Sequence, residues 1–317
     1  MFETFIATLS PMLLMFLCIV VGFILKKTKV LPDNSYIVMS RLETYVFLPA
    51  LNISTFMTYC TVDSLKEQYV NVIYSIIAVA VSVGLATFLS RFFDKNDLYK
   101  RNIYKYSLAI ANNGFMGNAI VPVILGATDS EILYKYLLFT LPTIFVIYIW
   151  GMPLLIPNDR KKGNALKNIL NPGIISVFIG ILLGLTGINT YMPEFAITTL
   201  DYLKACMGPV AMILTGFVIG SYPIRSLLGD KKVYVASVLR LIILPAIILA
   251  VLKLIGAPDS VLVLALFAYA TPLGLNTVVF PAAYGGETKT GGSMAMISNT
   301  LGVVSIPIMY ALLTTII

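Results

Sequence analysis

Apolar residues run along the chain in long blocks, and polar residues gather in short connectors between them. The blocks fall at 2–25, 35–58, 69–91, 103–126, 132–156, 170–192, 195–222, 233–256, 260–284 and 293–316. Each is long enough to cross the roughly 30 Å hydrocarbon core of a bilayer as a helix. The short alternating segments of a membrane β-barrel do not recur. The pattern predicts an all-α integral membrane protein with ten transmembrane helices.

Two blocks carry their own interruption. The fourth contains "NNGFMGNAIVP", Asn112–Pro122, and the ninth contains "TPLGLNTVVFP", Thr271–Pro281. Gly, Asn and Pro are poor helix formers. Unwound backbone at membrane depth is tolerable only where protein or a water-filled cavity receives it. The two stretches coincide when the sequence is slid by 159 residues, and both end in proline. At an offset of 160, "FLPAL" (47–51) falls on "MGPVA" (207–211), so Pro49 meets Pro209 and Arg41 meets Asp201. Five spans lie in each half. Five is odd, so the second half enters the membrane from the opposite side, as in secondary transporters built from inverted repeats. The division predicted is 1–156 for the first five-helix repeat, 157–169 for a short cytoplasmic linker and 170–317 for the inverted second repeat.

Depth brings the interruptions together. Asn113 lies about 15 Å into its span and Pro272 about 18 Å into its own from the other face. Helices four and nine are thus expected to be broken and to cross at the midplane, with Pro122, Pro272 and Pro281 as helix breakers. Pro11, Pro49, Pro142, Pro209, Pro245 and Pro307 mark kinks in other spans. A broken helix carries about half a positive charge at its exposed N–H end and half a negative charge at its C=O end. Two N–H ends would bind an anion without a full cation in lipid. Asn112, Asn113, Asn118 and Asn276 can both donate and accept there. A merely structural role, small residues letting helices pack closely, is the competing account.

Composition agrees with the membrane assignment: 58% of residues are hydrophobic, 12% are charged and the mean hydropathy is +0.90, against about 25% charged in soluble domains. The net charge of +7 is topological. Sixteen Lys and Arg residues fall in the odd-numbered connectors, and only Lys66 and Lys135 in the even-numbered ones. The odd connectors are therefore cytoplasmic and both termini lie outside, a multi-pass arrangement in the cytoplasmic membrane with no nucleic-acid partner. Glu3 and the length of the first span argue against a cleaved leader. The three scattered cysteines form neither a disulfide framework nor a metal site. Without histidine there is no His-based catalytic pair or zinc cluster. "GGETKTGG" (285–292) lacks the ending of a phosphate loop and reads as a cytoplasmic turn. No catalytic or metal residue is assigned, and no enzyme is expected.

Arg41, Glu43, Asp201, Lys204 and Arg240 fall inside spans, where each charge costs a few kcal/mol. Arg41 and Arg240 lie near enough to the cytoplasmic face to snorkel. Asp201 and Lys204 are three residues apart and share a helix face. They pair with each other or support coupling and gating, and Glu43 and Arg41 are the other coupling candidates. With no histidine, a proton route would use Glu43 or Asp201, whose carboxyls burial can bring into range. A sodium site made of backbone carbonyls would leave little trace in a sequence. No other cofactor is expected.

"NNGFMG" (112–117), "ATPLGLNTVVFPAAYGG" (270–286) and "SNTLGVVSIP" (298–307) resemble the auxin efflux carrier family, as do "YVFLPALNISTF" (45–56) and "MGPVAMILTGFVIG" (207–220). The likeness covers essentially the whole chain, and the short 157–169 connector is similar to the bacterial branch, within the bile-acid and arsenite-riboflavin type transporter superfamily. The resemblance implies ten helices in two inverted repeats, helices four and nine broken and crossed, a homodimer, and a small organic anion as substrate. By position, Asn112, Gly114, Gly117, Pro272 and Asn276 match the family's breaks. Ala119 stands where bacterial relatives commonly have proline, and Pro122 follows three residues later. The helix-four break accordingly shifts later, or Pro122 acts from one turn away.

The resulting expectation is a secondary transporter that moves a small organic anion, a carboxylate, by alternating access, with the bilayer as its other partner. Substrate contacts are assigned to Asn112, Asn113, Gly114, Gly117, Asn118, Pro272 and Asn276. The alternative is a sodium- or proton-coupled symporter or antiporter of the bile-acid type with Asp201 and Glu43 as ion ligands. A membrane-embedded enzyme or receptor is the third reading, disfavoured by the missing histidine and the absence of a signalling domain.

Overall fold

The computed structural model describes residues 2–125, 131–157, 171–284 and 286–316. Most of the expected 157–169 linker, and Gly285 of the "GGETKTGG" turn, lie outside the described residues. Among the described residues regular structure is helical throughout, apart from a single isolated β-bridge. Six helices are long and apolar enough to cross a membrane: Thr8–Lys27, Val62–Phe92, Glu131–Leu155, Glu194–Gly220, Lys231–Leu254 and Lys289–Ile316. Shorter apolar helices run over Asn113–Leu125, Pro172–Thr186 and Asp259–Tyr269.

Local sequence explains the starts. The Thr61 hydroxyl accepts from the Ser64 N–H, so the third span begins at Val62, seven residues before the expected 69. Asp97, Asn171 and Asp230 cap the Leu98–Ala109, Pro172–Thr186 and Lys231–Val238 helices in the same way, each satisfying an N–H that lacks an intrahelical partner. Gly187, at φ +69°, closes the Pro172–Thr186 helix in the left-handed conformation that suits glycine.

Prolines act in two ways. Pro49, Pro153 and Pro245 each follow a π-helical turn, at Glu43–Phe47, Ile147–Gly151 and Leu239–Ile243. The carbonyl four residues before each proline is denied its usual donor, and the turn widens around it. Pro142, Pro209 and Pro307 instead sit within α-helices.

Glycines bring spans together. A Cβ at Gly22 would collide with the Ile213 carbonyl, and one at Gly216 with the Ile19 carbonyl, so the first and seventh spans meet backbone to backbone. Gly180 and Gly184 do the same for the sixth span, against the Asn52 and Cys60 carbonyls of the second. Lipid offers no hydrophobic drive for helix association, and close approach of small residues supplies dispersion contact in its place.

Candidate functional site

The fourth span is broken earlier than its proline suggests. The Leu98–Ala109 helix ends at Ile110, which is extended (φ −121°, ψ 118°). A π turn, Asn113–Gly117, then leads into the Asn118–Leu125 helix. The break is at 110–112, and it does not move later. Of the three expected breakers only Pro272 lies in a break. Pro122 and Pro281 are inside the Asn118–Leu125 and Asn276–Tyr284 helices. Pro281 withholds a donor from the Thr277 carbonyl, and Gly291 provides the space beside that carbonyl. The ninth span is broken over 270–275, between Asp259–Tyr269 and Asn276–Tyr284.

The two breaks meet. Ala111 and Leu273 form an antiparallel bridge, and the Asn112 N–H donates to the Pro272 carbonyl over 2.8 Å. Unwound backbone buried in an apolar core must find partners, and here each break supplies the other. Third elements satisfy further groups. Ser298 accepts from the Leu273 N–H at 3.1 Å. The buried Tyr136 hydroxyl lies 3.1 Å from the Asn113 carbonyl and 3.4 Å from that of Phe267, one on each broken helix, and its single proton serves one at a time.

The carbonyl end of the first half-helix is served by two other spans. Ser82 donates to the Ala109 carbonyl at 2.7 Å. Arg240 Nη1 donates to Leu108 at 2.9 Å and to Ala109 at 3.5 Å. Its guanidinium carbon stands 5.6 Å from the ring centroid of Tyr269, the last residue of the other broken helix. Arg240 is 0% exposed. The expected snorkelling toward the cytoplasmic face is therefore corrected: the charge turns inward, because the carbonyl ends offer it partial negative charge.

On the N–H side of the crossing lies a cavity of about 360 Å³. Asn112, Asn113, Gly114, Asn118 and Asn276 of the expected set line it. Gly117 and Pro272 do not. Gly117 leaves room for the Tyr136 hydroxyl, and the Pro272 ring packs where a Cβ at Gly302 would fall. The Asn112 amide nitrogen and the Asn118 amide oxygen have no hydrogen-bond partner among the described residues, while Asn276 donates to the Tyr106 hydroxyl at 2.9 Å. Among the described residues, none that lines the cavity carries a charge.

The charged candidates lie elsewhere. Asp201 is exposed and accepts from the Ser54 hydroxyl at 2.8 Å. Among the described residues no ion pair within 4.0 Å joins it to Lys204, although the two charges still act on each other. Arg41 is exposed. Glu43 is 0% exposed in its π turn, and neither carboxylate oxygen has a partner among the described residues. Sequence reasoning overlooked Asn52, Thr140 and Tyr148, which also line the cavity. Asn52 stands in the quoted "FLPALNISTF" stretch as an amide in an apolar span, the signal that picked out Asn112.

Comparison with known proteins places the chain in a family. Residues 7–310 match the family described as membrane transport protein. An uncharacterized transporter of Methanocaldococcus jannaschii is 22% identical over 303 residues, covering 94% of this chain and 96% of its own. One from Methanothermobacter thermautotrophicus is 24% identical over 310 residues, covering 96% and 98%. A Rhizobium meliloti protein named "Putative malonate transporter" is 21% identical over 239 residues, covering 74% and 72%. The chain belongs to the membrane transport protein family, that of the auxin efflux carriers.

Proposed function

We propose that the protein is a secondary transporter that moves a small organic anion, a carboxylate, across the cytoplasmic membrane by alternating access at the crossing. The observation that carries this reading is the uncharged cavity at the N–H ends of two antiparallel breaks. Two helix N-termini contribute about +0.5 each, and among the described residues no lining carboxylate offsets them. One carboxylate would neutralise that field. The unpartnered Asn112 amide supplies a donor, and the apolar wall formed by residues such as Leu137 and Ile144 accepts a short carbon chain. The relative named for malonate supports the substrate class.

Packing supports ten spans in two inverted repeats, 1–156 and 170–317. The first span packs on the seventh and the sixth on the second; the third packs on the fifth and the eighth on the tenth. Each second pair is the first displaced by five spans. The antiparallel run of the two breaks is what entry from opposite faces requires. The basic connectors support a cytoplasmic location for the odd loops and an outside location for both termini.

Coupling to an ion is the second reading, and Glu43 favours it. A carboxyl with no partner and no solvent contact is stable only when neutral, so loading and unloading a proton would follow exposure of that span. Asp201, exposed and bonded to Ser54, is the weaker ligand.

The test is uptake of radiolabelled malonate and other small carboxylates by vesicles carrying the protein. Uptake that the Asn112→Ala, Asn276→Ala double variant abolishes while remaining monodisperse in detergent supports the site. Normal uptake by that variant removes both residues from it, and silence of the wild type toward every carboxylate overturns the anion reading.

A further inference from the structure

The crossing has a second side. The half-helices that end at Ala109 and Tyr269 each present a carbonyl terminus with about half a negative charge. In carriers with broken helices such termini and the unwound carbonyls beside them are where a sodium ion is coordinated. Here that side already holds a side chain. Arg240, on the π turn Leu239–Ile243, is fully buried and bonds to the last carbonyls of the first half-helix. It also lies over the ring of the residue that ends the second. Ser82 takes up the Ala109 carbonyl as well.

We propose that Arg240 is a built-in cation that neutralises the carbonyl ends of both broken helices, occupying the place a bound sodium ion would take. The charge balance fits. Two ends of about −0.5 each sum to −1, and a guanidinium supplies a permanent +1. Among the described residues no carboxylate pairs with Arg240, so the helix ends are its counter-charge. Its Nε and Nη2 have no hydrogen-bond partner among the described residues, as expected of a group held by a diffuse field rather than by a fitted ion pair. The placement also separates the two faces of the crossing. The carbonyl side is neutralised permanently, while the N–H side keeps its positive field for the cargo. A carrier built this way needs no sodium to bind its anion. That consequence rests on the transporter reading; the charge assignment does not.

The assignment is tested on purified protein in detergent, with no substrate. Melting temperatures are compared in sodium, potassium and choline chloride at equal ionic strength for the wild type, Arg240→Lys and Arg240→Met. The wild type is expected to melt at one temperature in all three salts. Arg240→Lys, which keeps the charge, is expected to stay close to it. Arg240→Met is expected to melt lower by about 5 °C or more and to recover part of that loss in sodium alone, because the freed carbonyls then recruit the ion. A sodium-specific rise in the wild type overturns the proposal. So does an Arg240→Met protein that melts like the wild type, or one whose deficit no salt repairs. If Arg240→Met does not fold, the wild-type salt comparison and the behaviour of Arg240→Lys still decide. Failure of vesicle uptake would overturn the carrier reading and leave these melting results standing.

Discussion

The backbone N–H of Asn112 and the carbonyl of Pro272 meet over 2.8 Å, 160 residues apart in the chain. This bond joins two broken helices through main-chain atoms and needs no side chain of the cavity. Asn112→Ala and Asn276→Ala remove amides without touching it. The double variant should melt within about 1–2 kcal/mol of the wild type and lose carboxylate uptake. Unfolding on substitution would mean that these amides hold the crossing and do not read the cargo.

Charge in the cavity should be decisive. Asn118→Asp adds a carboxylate of nearly the same shape to a wall whose described residues carry none. Repulsion in a low-dielectric site is worth several kcal/mol, so uptake should fall at least ~100-fold while thermal stability changes little. Retained uptake would show that the anionic group sits away from Asn118.

Gly117 and Tyr136 should behave as a coupled pair. A Cβ at Gly117 collides with the Tyr136 hydroxyl, which is fully buried and bonded to the crossing. Gly117→Ala should cost about 1–3 kcal/mol by overpacking. Tyr136→Phe should cost about 1 kcal/mol, through the lost bond to the Asn113 carbonyl. The double variant should be more stable than the sum of the two. Strict additivity in a thermal double-mutant cycle would rule out the steric contact.

Ser298→Ala leaves the buried Leu273 N–H without its acceptor. The expected loss is about 1–3 kcal/mol, with faster hydrogen exchange confined to 270–275. Unchanged exchange in that segment would show that the break is held without Ser298.

Glu43→Gln keeps the volume and removes the titration. If Glu43 carries a coupling proton, the variant should still exchange substrate down its own gradient but stop responding to an imposed pH difference. A wild-type pH response in the variant would exclude Glu43 as the proton carrier.

Much of the architecture was legible because it depends on one-dimensional properties. Apolar runs declare membrane helices wherever they fall, since lipid tests each segment's own hydropathy. The punctuation of Asn, Gly and Pro marked both interrupted spans for the same local reason. The first break nonetheless lies at 110–112, reaching only the first of the asparagines and ending ten residues before Pro122. No helix-breaking residue sits at Ile110 or Ala111; the Pro272 carbonyl, which accepts from the Asn112 N–H, and the bridge between Ala111 and Leu273 hold the extended backbone there.

The side-chain fates were not legible in the same way. Arg240 and Arg41 look alike in sequence, each an arginine within reach of the cytoplasmic face, yet one is fully buried against carbonyl ends and the other is exposed. Asp201 and Lys204 have the spacing of an ion pair, but Asp201 turns to Ser54, 147 residues away. From sequence alone came the membrane class, the helical character and the two interrupted segments, because propensity and hydropathy belong to the residues themselves. Tertiary structure alone decided that Ala111 faces Leu273, that Asn52 joins the cavity and that Arg240 turns inward, because a charge or an amide is placed by partners brought near only through packing.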